Sequence, residues 1–331
     1  MFTNRMIRNL LVPVVLEQIL NSIMGTADTM MVSNVGSAAL SAVSLVDSIN
    51  VLLIQAFSAL AAGGAIVCAQ YIGQRNYEKA NMSARQVLFI ITAISVVVSA
   101  VCLIFQKPLL RLIFGAVDAD VMRASETYFF FTALSFPFIA AYDSAASIFR
   151  AQENTKGPMT ISMISNIMNI GGNAVLIWVF HLGVAGAAIS TLVSRIFCAV
   201  VVLWQLRKDR QPVVVKDYLK IRPDWSMIGR ILGLGIPSGI EISMFQIGKL
   251  AIQSTVSTLG TAAIAAQAMT NILENLNGIA AIGVGVGLMT IVGQCLGAGR
   301  KDEAVYYIKK LCVIAEAVII VSCLIVYILV R

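Results

Sequence analysis

The chain has 331 residues, 58% of them hydrophobic and 12% charged, with a mean hydropathy of +0.86 and a net charge of +7. Ordinary soluble domains carry about 25% charged residues. Half that share, with apolar runs repeating along the whole chain, excludes a soluble domain and predicts an all-α integral membrane protein, a polytopic helical bundle; a transmembrane barrel would show short alternating segments. All six cysteines lie in apolar runs, none sits in a CxxC pair, and His181 is the only histidine. This pattern speaks against disulfides and a zinc site.

Nine membrane spans are predicted, at about 10–34, 45–70, 86–106, 124–148, 159–181, 184–206, 228–257, 269–293 and 307–330. The first is long and apolar, yet it carries Glu17 and Asp28 with Gln18 and Asn21 nearby. Glu17, Asn21, Met24 and Asp28 fall at i, i+4, i+7 and i+11, one stripe of a helix. The two carboxylates are then roughly 16 Å apart along it. A carboxylate at membrane depth costs about 2.5 kcal/mol or more, so it normally faces a bundle interior or a watery cavity. The stripe is read as a site for a cation or a proton. In the second span, Asp47 with Asn50 and Gln55 make a further polar strip. In the fifth, Asn166, Asn169 and Asn173 fall at i, i+3 and i+7 and face one way.

The segment Arg207 to Arg230 is charged and contains Pro212 and Pro223. It divides a first six-helix lobe, residues 1–206, from residues 228–331 through a linker at 207–227. Beyond it, Glu241, the stripe Gln246, Lys249, Gln253 and the strip Asn271, Glu274, Asn275, Gly278 are candidate cavity or pairing residues. Glu126, Asp143, Arg195 and Glu316 are read as structural. Glycines at 63, 64, 73, 171, 172, 283, 285 and 287 lie in or at the ends of spans and are read as helix-packing positions, not as a dinucleotide loop.

Eighteen Lys and Arg residues fall in the N-terminus and in the loops after spans two, four, six and eight. The other side holds only Lys107, Arg111, Arg123 and Arg331. This bias places the N-terminus in the cytoplasm. It also makes the net positive charge a topology signal, with no nucleic-acid partner expected.

Shifting the chain by 224 positions superimposes the seventh span on the first. Pro13 meets Pro237, Glu17 meets Glu241, Gly36-Ser-Ala-Ala-Leu-Ser-Ala42 meets Gly260-Thr-Ala-Ala-Ile-Ala-Ala266, and Gln70-Tyr-Ile-Gly73 meets Gln294-Cys-Leu-Gly297. Six spans per unit give both units the same orientation, a parallel repeat. The second unit ends after three spans, and a truncated second lobe is expected.

Pro13 and Gln18, GTADTMMVSNVG at 25–36, AQYIG at 69–73, NIGGN at 169–173, GVAGAAIST at 183–191 and GQCLGAGR at 293–300 resemble the multidrug and toxic compound extrusion family. The resemblance implies two six-helix lobes around a central cavity, with organic cations or drugs exported in exchange for Na⁺ or H⁺ and no other cofactor. Asp28 stands at the family's first-helix aspartate, tied to ion coupling. Asn169 and Asn173 stand at fifth-helix polar positions, the second of which is an aspartate in some members. Thr191 matches a sixth-helix position nearby. Na⁺, if it is the ion, would bind Asp28, Asn169 and Asn173. Asn166, Glu17, Asp47, Glu241, Lys249 and Glu274 are cavity or substrate candidates. A multi-pass protein of the cell membrane, monomeric at full length and in contact with lipid, is expected. A lipid-linked oligosaccharide flippase of the same superfamily and an inactive transporter fragment are the alternatives. Nothing in the residues signals a membrane enzyme.

Overall fold

The computed structural model describes residues 2–114, 118–208, 211–216, 218, 222–257 and 261–330. Some side chains within 250–280 and 325–330 also lie outside the description, including Gln253, Asn271 and Asn275. Arg210, Lys220, Gly260 and Arg331, singled out from sequence, are outside it as well.

Ten α-helices are described: α1 Asn4–Ser33, α2 Ser37–Gly73, α3 Tyr77–Ile104, α4 Gln106–Phe114, α5 Ala119–Ala151, α6 Lys156–Ala174, α7 Gly183–Leu206, α8 Trp225–Ser257, α9 Thr261–Gly297 and α10 Lys301–Val330. Three of the starts, those of α1, α3 and α8, follow from local capping. Thr3 Oγ1 accepts from Met6 N, Asn76 Oδ1 from Lys79 N, and Asp224 Oδ1 from Ser226 N and Met227 N. Eight described helices are long and apolar enough to cross a membrane. The ninth predicted span falls in α10, whose apolar run at 311–330 carries one charge, Glu316, and includes side chains outside the description.

Two local features differ from the sequence expectation. The short helix α4 was not predicted. It places Leu110 inside and Lys107 and Arg111 outside, and nine residues are too few to register as a span. The fifth span is not one uniform helix: α6 widens into a π-helical stretch, Val175–Val179, directly after Asn173. Such wide turns frequently mark functional sites.

The repeat is visible in the backbone. At the end of α2, Gln74 N, Arg75 N and Asn76 N donate to the carbonyls of Gln70, Ile72 and Tyr71. At the end of α9, Ala298 N, Gly299 N and Arg300 N donate to Gln294, Leu296 and Cys295, the positions 224 residues on. Arg75 and Gly299 both take positive φ, 57° and 74°. The two ends also meet each other. A Cβ on Gly73 would collide with the Gln294 carbonyl, and one on Gly297 with that of Gln70.

Packing is centred on α2, which lies against α5, α8, α9 and α3. The main core includes Phe57, Phe129, Phe136, Ile148 and Phe149 from α2 and α5. Gly63 of α2 and Gly235 of α8 meet backbone to backbone, with no room for a Cβ on either side. On the other flank α1 packs against α6 and α9, and Gly172 gives α6 a close approach to α7 at Ser190. That approach brings the polar face of α6 between α1 and α7.

Candidate functional site

The stripe predicted on α1 meets α5 at Glu17 and α6 at Asn21 and Asp28. At its lower end Glu17 is only 2% exposed. Arg150 Nη2 donates to both its oxygens at 3.0 Å, and Tyr142 OH donates to Oε1 at 3.1 Å. One turn on, Asn21 Oδ1 accepts from Ser162 Oγ at 3.0 Å and Asn166 Nδ2 at 3.1 Å. At the upper end Asp28 meets Asn173, whose Nδ2 donates to Asp28 Oδ1 at 2.5 Å.

Around Asp28 the sequence-predicted residues converge. Asn169 and Asn173 are 1% and 0% exposed. With its amide nitrogen towards α1, Asn169 donates to Asp28 Oδ1 at 2.9 Å, and its oxygen accepts from Thr191 N at 3.3 Å. Asn173 Oδ1 is buried with no hydrogen-bond partner. Buried acceptors are rarely left so. An orphan amide oxygen, a threonine hydroxyl and a carboxylate fit a small hard cation. Ser190 Oγ donates to the Asn169 carbonyl at 2.8 Å and holds this stretch of α6 against α7.

Other predicted residues lie elsewhere. Asn166 belongs to the Asn21 contact, two turns from Asp28. Glu17 is held in its ion pair with Arg150. Glu241, its repeat mate, is exposed on α8. Lys249 Nζ pairs with Glu274 Oε1 at 2.8 Å, with side chains 37% and 49% exposed. Asp47 is partly buried, and its Oδ1 accepts from Asn50 Nδ2 and Tyr128 OH, both at 3.2 Å.

Several polar residues of the interior escaped the sequence reading. Tyr128, Ser135, Tyr142 and Arg150 run along one side of α5, and each meets a polar group of another helix. Ser58 Oγ donates to Asp143 Oδ2 at 2.5 Å, and Arg195 Nη1 to Ser135 Oγ at 2.7 Å. Asp143 and Arg195, read from sequence as structural, bond to groups of other helices inside the bundle. The roughly seven-residue spacing of polar residues on α5 was the signal available, since such a spacing returns to the same helix face. At the end of α5, outside the span, burial pushes the Glu153 carboxyl above the ordinary glutamate value, while a hydrogen bond from Gln294 pulls it back. Gln294 also donates to the Ala151 carbonyl at 2.9 Å, tying α9 to this turn.

The fold is that of a polytopic helical membrane protein. The MatE family pattern matches residues 13–175 and 237–331, and the chain belongs to this family of transporters, which are not enzymes. It is 27% identical over 302 residues to the probable multidrug resistance protein YoeA of Bacillus subtilis, covering 88% of this chain and 64% of that protein. It is 24% identical over 308 residues to the probable multidrug resistance protein NorM of Thermotoga maritima, covering 91% and 65%. The chain thus spans about two thirds of the length of these relatives. Its fold is similar to that of a multidrug resistance MATE family transporter of the MOP superfamily solved in an outward-facing conformation, with a TM-score of 0.88 at 20% identity over 95% of this chain and 69% of that one.

Proposed function

We propose that this chain belongs to a secondary antiporter that exports organic cations in exchange for Na⁺ or H⁺, with the coupling site at Asp28, Asn169, Asn173 and Thr191. Residues 1–206 form its first lobe, 207–227 the linker and 228–331 part of a second lobe, with the N-terminus in the cytoplasm. The observation that carries the reading is the Asp28 carboxylate, which sits inside the bundle and receives hydrogen bonds only from neutral amides. No fixed positive charge is in contact with it, so its partner is one that comes and goes. Exchange needs a group that binds either the ion or the consequences of the drug, not both at once. A proton or Na⁺ on Asp28 weakens the hydrogen bonds that Asn169 and Asn173 donate to it, and departure of the ion restores them. The charge state of α1 is thereby coupled to the packing of α6, next to its π-helical stretch. The acids of the interior, Asp28, Asp47 and Asp143, outnumber Arg195, which favours a cationic substrate over the anionic headgroup of a lipid-linked oligosaccharide.

The test is ethidium efflux from energised cells producing the protein, wild type against Asp28→Asn, at matched amounts in the membrane. The reading expects ion-driven efflux to disappear in the variant. Unchanged efflux sinks the assignment.

A further inference from the structure

Arg195 has no part in the coupling site, yet it is a charge inside the same lobe. It lies near the middle of α7, and its guanidinium donates to a neutral partner, Ser135 Oγ, at 2.7 Å. No carboxylate of the described residues is in ion-pair contact with it. Three nevertheless act on it through space: Asp47 from α2, Asp143 from α5 and Asp28 from α1. The phenol of Tyr128 on α5 also faces it. The remaining charges, Glu17 and Arg150, act on Asp143 but are bonded to each other.

Each of the three acids takes its hydrogen bonds from neutral donors: Asn173 for Asp28, Asn50 and Tyr128 for Asp47, Ser58 for Asp143. Three acids against one base leave the interior two charges negative when all are ionised. In a poorly screened interior such a field holds a cation tightly. A carrier must also let its ion go, so binding has to stay weak enough for release. An arginine bonded to one acid would cancel that acid alone. Parked on a serine among three, it lowers the field at all of them.

We propose that Arg195 is a built-in competing cation that sets how tightly the first lobe holds its ion. The inference rests on the assignment of Asp28 as the coupling site. The test is equilibrium binding of radioactive sodium ion and of tetraphenylphosphonium to the purified chain in lipid nanodiscs. Arg195→Gln is expected to bind at least one of these cations roughly tenfold more tightly and to release it more slowly. Arg195→Lys, which keeps the charge, stays near wild type. A purely structural role predicts the opposite sign, weaker binding. Unchanged, weaker or absent binding in a folded Arg195→Gln protein overturns the inference. If that variant does not fold, the charge-balanced Arg195→Gln/Asp47→Asn protein serves: near-wild-type sodium binding supports the inference, and a large loss overturns it. Asp28→Asn separates the two ideas. If it binds sodium normally, the coupling assignment fails; if it loses binding while Arg195→Gln gains none, only the role of Arg195 fails.

Discussion

Asn173 donates to Asp28 at 2.5 Å across 145 residues of sequence, and its own amide oxygen, fully buried, has no partner. One side chain therefore both holds the carboxylate and leaves an unpaired acceptor beside it for a cation. Replacing that oxygen with a charged one strengthens a cation site, because a second carboxylate adds Coulomb attraction in a poorly screened interior. Asn173→Asp is expected to bind sodium ion at least about tenfold more tightly at high pH and to make binding steeply pH-dependent. Asn173→Leu is expected to lose it. Titration calorimetry on the purified variants checks both, and equal affinities in the two would count against the site.

The Glu17–Arg150 pair reads as structural. Removing one partner of a buried ion pair strands the other charge and typically costs about 3–5 kcal/mol. Glu17→Gln is expected to lose about that much stability, and replacing both partners with leucine less than the single change. Unfolding in mixed micelles measures this. A Glu17→Gln protein as stable as wild type would return Glu17 to the list of transport residues.

Arg75 occupies the left-handed turn that its repeat mate Gly299 occupies with φ of 74°. Left-handed backbone is unfavourable for a residue with a Cβ and free for glycine. Arg75→Gly is expected to stabilise the protein by up to about 1 kcal/mol, and Gly299→Ala to destabilise it by a similar amount. The same unfolding measurement decides, and a destabilised Arg75→Gly protein would mean that the arginine side chain outweighs the strain.

Glu153 gives a pH prediction. Its folded value is raised from 4.5 by burial. A raised carboxyl contributes stability that is fully present below the ordinary value and lost as pH rises through the folded one. Wild type should therefore weaken, relative to Glu153→Gln, as pH climbs from about 4.5. Parallel stability curves for the two proteins would refute the shift.

Local sequence determined the helices, the turns between them and the repeat. Apolar runs long enough to span, caps at Thr3, Asn76 and Asp224, and the matched ends of α2 and α9 are all short-range consequences of residue type. It also determined that Asn169 and Asn173 share a face, because helical spacing is fixed. What it left open was which faces meet. Glu17 and Glu241 hold the same repeat position, four residues after a proline, yet one is sealed by Arg150 and the other lies exposed on α8. The difference comes from α5, whose Arg150 and Tyr142 reach Glu17 from more than a hundred residues away. Arg195 and Asp143 carried no visible partner in the sequence for the same reason. Their neighbours belong to other helices, and only the tertiary packing of α1, α2, α5 and α7 decides that one guanidinium stands among three carboxylates. Burial and charge proximity are properties of that packing, which no local spacing records.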